Sequence, residues 1–161
     1  ETHQDNMTKI GGLPKKESFF MQIEKHMEDN DWSIFTAFHD SQPIAALLLF
    51  YFNQTVEYFT PVSLSDHRNK QPMALIVFEA MLDSIDQGMK NWNWGGTWNS
   101  QKGVYDFKKK WGADDYPYKY FIKVFNDEIY SMDREILYND FYGFYSIPFD
   151  ELKGAIQRDE T

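Results

Sequence analysis

The sequence predicts an α/β fold: one domain built on a mixed, mostly antiparallel sheet with helices packed on it. Three observations predict it. The β-rich runs 32–39, 44–53 and 55–60 follow one another with only short turn signals between them. Apolar residues at helical spacing lie before and after this meander. A chain of 161 residues that is 42% hydrophobic and 18% aromatic can also bury a substantial core.

Residues 1–14, ending in the Gly-Gly-Leu-Pro of 11–14, read as a flexible tail or linker, and the domain is expected over 15–161. Phe19, Phe20, Ile23 and Met27 predict a helix over 15–30. Asp40 to Pro43 is a turn signal, and Asn53-Gln54 predicts a tight turn into the third strand. A polar loop then leads to Pro72, placed at the first helical position, where its missing N–H costs nothing. Leu75, Phe78, Leu82 and Ile85 line one face of this helix. Ile76, Val77 and Met81 make the other faces apolar too, so deep burial is expected. Gly88 supplies a stop. "NWNW", 91–94, alternates as a short strand closed by Gly95-Gly96. A helix follows over 103–111, ended by Gly112, then a strand over 116–125 and a short helix from Pro148. The aromatic tail after Phe125 has no assigned role.

The net charge is -9, unevenly spread. Residues 90–123 hold 7 basic and 3 acidic side chains, a local +4, while every other segment is acidic. This balance argues against a general nucleic-acid-binding surface and leaves room for one local anionic ligand. No cysteine is present, which excludes disulfides, thiolate metal sites and cysteine nucleophiles. His3, His26, His39 and His67 show no metal-ligand spacing, so no metal is expected. Neither a P-loop nor a dinucleotide fingerprint occurs. The longest apolar run, 44–52, is too short for a membrane span. With no charged-then-apolar leader in view, a cytoplasmic protein is expected.

Two stretches carry candidate chemistry. The loop 65–71 holds His67, Arg68, Asn69, Lys70 and Gln71 just before a helix N-terminus, where unpaired N–H groups suit phosphate; an ordinary solvated loop fits the same residues. In "GVYDFKKKWG", 103–112, a helical wheel places Val104, Phe107 and Trp111 on one stripe, Lys109 opposite it and Lys110 about a quarter turn away. Lys108 lies at the stripe's border. Its ammonium stands at a pocket edge on one reading, and snorkels to water on the other.

That run, with the hairpin at 44–61 and the helix, strand and glycines of 75–96, resembles the C-terminal lobe of the FemAB/FemX-type peptidyltransferases of the GNAT acyltransferase superfamily. Their motif Gly-Val-Tyr-x-Phe-Lys-x-x-Phe-Gly stands here with Trp111 in place of the last Phe. The resemblance implies a single GNAT-like domain and transfer of an acyl or aminoacyl group to an amine of a cell-envelope precursor, a peptide or an amino sugar. It places Lys108 and Phe107 at the reaction centre and the loop His67 to Gln71 at the donor. Tyr58, Gly96, Thr97 and Tyr105 are expected to touch substrate. Glu57, Asp106 and Tyr58 are general-base candidates by side-chain type alone. No tightly bound cofactor is implied; acyl-CoA or aminoacyl-tRNA is the donor. The loop 67–74 lacks the glycines usual for acyl-CoA, and the chain is about one lobe long where the family has two. A second lobe or a homodimer is therefore an expected partner, and a non-catalytic lobe that binds or scaffolds a partner is the alternative function.

Overall fold

The computed structural model describes residues 2–9, 14–97, 101–117, 119, 121–141, 147, 148, 151 and 152. The chain forms two compact units, Glu1–Ala113 and Asp114–Thr161, where one domain over 15–161 was expected.

The first unit is a four-stranded sheet in the order β1-β2-β3-β4 with helices packed on it. Strands β1 (Trp32–His39), β2 (Gln42–Phe52) and β3 (Thr55–Ser63) form an antiparallel meander, and β4 (Asn91–Asn93) joins β3 in parallel. Both hairpin turns are two residues long. Asp40 and Ser41, and again Asn53 and Gln54, all have positive φ. This geometry matches the right-handed twist of the strands it joins. Pro43 pairs with Phe38 inside β2, so the first turn is shorter than the turn signal at 40–43.

Helix α1 (Thr2–Lys9) lies where a flexible tail was expected. Its tethers are non-local, which is why local periodicity does not reveal it. Asn6 Nδ2 donates to the Ser63 carbonyl at 3.1 Å, and Lys9 Nζ donates to Ser65 Oγ at 3.0 Å. Helix α2 (Glu17–His26) buries Ile23 and sets Phe19 against Phe59 of β3.

Helix α3 (Pro72–Asp86) starts at Pro72 as expected, but the face it buries is the other one. Ile76, Val77, Ala80 and Ser84 are buried against the sheet, whereas Leu75, Phe78, Leu82 and Ile85 are exposed. Small side chains decide this. Ala80 and Ser84 let the helix axis approach the strands, and the Ser84 hydroxyl is satisfied by the Ala80 carbonyl at 2.6 Å. Gly88, at φ 79, ends the turn that follows. Helix α4 (Lys102–Lys109) then returns to the sheet.

In the second unit the expected strand at 116–125 is absent among the described residues. Tyr116, Phe121 and Phe125 are exposed there. A β-prone run becomes a strand only where another strand pairs with it. The unit contains a 3-10 turn, Asp127–Ser131, and helix α5 (Arg134–Asp140), capped by Asn126 and Asp133. Leu137, Ile147 and Leu152 form its small core. The helix expected from Pro148 lies largely outside the described residues.

The reversal on α3 is measurable. Ile76→Ala is expected to cost roughly 2–5 kcal/mol of unfolding free energy, and Leu82→Ala to stay within about 0.5 kcal/mol. Urea titration followed by circular dichroism checks the pair; equal losses would place the core face wrongly.

Candidate active site

The site lies where two parallel strands part. The β3/β4 ladder pairs Thr55 with Asn91, Val56 with Trp92 and Glu57 with Asn93, and there β4 ends while β3 runs on to Ser63. Within that run Leu47 pairs with Pro61 and Leu48 with Phe59, leaving Thr60 unpaired at φ 48. This β-bulge bends and twists β3 as it leaves its neighbour. On these two strands Thr60 Oγ1, Ser63 Oγ and Trp92 Nε1 are buried without a protein hydrogen-bond partner.

The chain leaving β4 is held by Lys108 and by Asn93, whose Oδ1 accepts from the Gly95 N–H at 3.0 Å. Lys108, on α4, is only 8% exposed. Its Nζ donates to the Trp94 carbonyl at 2.7 Å and to Thr97 Oγ1 at 2.8 Å, and reaches the Gly96 and Gly95 carbonyls at 3.2 and 3.4 Å. Four acceptors share three N–H groups. Gly95 sits at φ 66, and a Cβ there would meet Glu57 Oε1 at 3.5 Å. A glycine suits both the backbone angle and the neighbouring carboxyl group. Lysines 109 and 110 are exposed, and Lys109 Nζ donates to the Ala113 carbonyl. The wheel's border residue is thus the buried one. Val104, expected inward, is exposed, while Phe107 and Trp111 pack against the core.

Sequence reasoning missed the hub of the site, Trp94. Its ring lies 5.1 Å from Tyr58, 5.6 Å from Trp92, 6.1 Å from Phe107 and 6.4 Å from Trp111, while its carbonyl takes the shortest Lys108 bond. These centroid distances are those of favourable aromatic packing. The alternation in "NWNW" together with the aromatics of 103–112 is the signal from which it could have been found.

The base candidates separate by environment. Burial, the leading cause, raises the Glu57 carboxyl pKa; a hydrogen bond from Asn93 and the Lys108 charge act against that rise. Burial lowers the Lys108 ammonium pKa, opposed by Glu57. Burial also pushes the Tyr58 phenol well up, so it stays protonated. Asp106 is paired with Lys102 at 3.2 Å on the surface of α4. Glu57 is therefore the carboxylate associated with the Lys108 cage.

The expected substrate contacts divide. Tyr58, Gly96 and Thr97 join Lys108 and Phe107 around the loop, whereas Tyr105 is on an exposed part of α4. The residues His67, Arg68, Asn69 and Lys70 form a 3-10 turn, Ser65–Lys70, and Gln71 at φ 54 precedes α3. They form a separate network. Arg68 Nη2 donates to Asn6 Oδ1 of α1 at 3.1 Å, and the His67 ring lies 5.6 Å from His39. Among the described residues no group of His, Asp and Glu is arranged to hold a metal, and no helix is long and apolar enough to cross a membrane.

A family model described as the FemAB family matches residues 3–115. A sequence comparison with curated proteins finds no match. In structure the chain is similar to an aminoglycoside acetyltransferase, meta-AAC0020, from an uncultured soil metagenomic sample, with TM-score 0.57 and 9% identity over 76% of this chain and 84% of that one. It is similar to a ribosomal-protein-alanine N-acetyltransferase from Brucella melitensis, with TM-score 0.54 and 10% identity over 73% and 85%. A transcriptional regulator from Bacillus halodurans matches with TM-score 0.56 and 12% identity over 74% and 89%. At these identities the likeness is one of fold, the GNAT acetyltransferase fold.

Removing the ammonium leaves its carbonyl acceptors without their donor. Lys108→Met is expected to lower the unfolding free energy by roughly 1–3 kcal/mol, against about 0.5 kcal/mol or less for Lys109→Met. Urea unfolding of the two variants side by side checks it, and a neutral Lys108→Met would show that the cage contributes no stability.

Proposed function

Because the chain belongs to the FemAB family, we propose that it transfers an acyl or aminoacyl group to an amine at the point where β3 and β4 part. The single observation that carries this reading is the buried Lys108, which fixes the loop 94–97 beside Glu57 at the end of the parallel ladder. The incoming amine attacks the carbonyl of an ester or thioester, and the carbonyl oxygen takes up negative charge. The Lys108 ammonium, partly shielded from water, stabilises that oxyanion by exchanging its longer Gly95 and Gly96 bonds for one to the new anion. Glu57 accepts the proton that the amine loses, collapse of the intermediate breaks the donor's C–O or C–S bond, and the departing alkoxide or thiolate takes that proton back from Glu57. Tyr58, Trp94 and Phe107 exclude water and seat the substrates.

The acceptor in this reading is an amine of a cell-envelope precursor, on a peptide or an amino sugar, and the reaction is cytoplasmic. The donor is an acyl-CoA or an aminoacyl-tRNA, approaching the residues 67–71. The absence of glycines there, and the engagement of Arg68 by Asn6, favour the aminoacyl ester. The family resemblance supports a second lobe or a second copy as the partner that completes the acceptor side. A second reading, a lobe that binds or scaffolds without catalysis, is favoured by one observation: the N–H groups of Lys108 are already taken by the protein.

Transfer assays with aminoacyl-tRNA and with acyl-CoA, run separately on an amino-sugar peptide, decide between the readings. Lys108→Ala is expected to lower transfer by about 10²-fold or more, with Lys109→Ala within about twofold. Equal losses, or activity untouched at both positions, would sink the assignment. The pH profile tests Glu57. A base must be deprotonated, so the rate rises with pH. The raised pKa moves that rise above the ordinary carboxylate range. Glu57→Gln should remove the rise; an unchanged profile would mean another base.

A further inference from the structure

Helix α3 has two apolar faces that point in opposite directions, and the sheet uses only one. Ile76, Val77, Ala80 and Ser84 are buried, while Leu75, Phe78, Leu82 and Ile85 are 57%, 50%, 46% and 66% exposed. At about 100° per residue the exposed stripe lies almost diametrically across the helix from the buried one. A helix that is apolar on both sides ordinarily has neighbours on both sides. The exposed positions follow one another at intervals of three, four and three residues. This is the a-d-a-d spacing with which one helix receives the side chains of another.

Charge selects the kind of helix. Glu79, Asp83 and Asp86 are exposed and form one rim of the stripe, while the opposite rim is Ala74 and Met81. An antiparallel second copy would set acidic rim against acidic rim, in a chain whose net charge is already -9. An anionic membrane is disfavoured for the same reason, since surface-seeking helices carry basic residues beside their apolar stripe. We propose that the outer face of α3 docks an amphipathic helix of a partner protein, with apolar residues at a and d and a basic flank that meets Glu79 and Asp86.

The proposal is independent of the transfer reaction and is tested without it. The probe is a short synthetic helix with leucine at a and d and lysine on its flanks, labelled for fluorescence anisotropy. Its twin carries glutamate on the flanks. The full chain is expected to bind the lysine form more tightly by about tenfold or more. The double variant Phe78→Ser/Leu82→Ser should lose that binding, and added salt should weaken it. If the serine variant is unfolded by circular dichroism, Glu79→Gln/Asp86→Asn replaces it and should erase the preference for lysine. The proposal is overturned by no binding, by equal binding of both helices, by binding unchanged in the folded variants, or by a homodimer seen by light scattering that the serine variant abolishes. Sedimentation with anionic vesicles that depends on Phe78 and Leu82 would overturn it in favour of a lipid surface.

Discussion

A single ammonium group shapes the centre of the first unit. Lys108 gathers three consecutive carbonyls and a threonine hydroxyl, so the chain after β4 is drawn towards α4. The loop needs this partner because β4 pairs with β3 over only three residues. Beyond Asn93 the loop carbonyls have no ladder to join, and an unpartnered carbonyl in a partly dry place is costly. The lysine answers that cost with its N–H groups and brings a positive charge into the space between the diverging strands. The lowered ammonium pKa and the raised Glu57 pKa share one leading cause, burial, and each group offsets part of that effect on the other.

Around that ion the aromatic residues act as insulation. Trp94 takes part in both systems, its carbonyl in the ammonium cage and its ring in the cluster with Tyr58, Trp92, Phe107 and Trp111. Displacing the loop would therefore disturb ring packing and hydrogen bonding together. The Thr60 bulge lies on the other strand, just beyond the last β3/β4 pair at Glu57 and Asn93.

Much of this was legible in the sequence, for local reasons. The meander, its two turns, the start of α3 at Pro72 and the helix of the lysine motif follow from turn residues, proline geometry and periodicity. Lys108 was distinguishable from Lys109 because a wheel separates adjacent residues by about 100°. What was not legible depends on partners distant in the chain. Helix α1 is held by Ser63 and Ser65, more than fifty residues on. The run 116–125 has strand propensity but no strand beside it among the described residues. On α3 the stronger hydrophobic stripe lost to the smaller residues, because a sheet selects for close approach as well as for hydrophobicity. The carbonyl cage was invisible for a similar reason: sequence shows which side chain donates, not which backbone groups lack a partner.

Three of the five tryptophans, Trp92, Trp94 and Trp111, belong to the one ring cluster beside the Lys108 loop. Indole rings this close exchange excitation and couple in the near ultraviolet. The region proposed to do chemistry is thus also a chromophore, with three of the chain's five indoles beside it. Events at the loop come with their own optical signal, and no label has to be attached to see them.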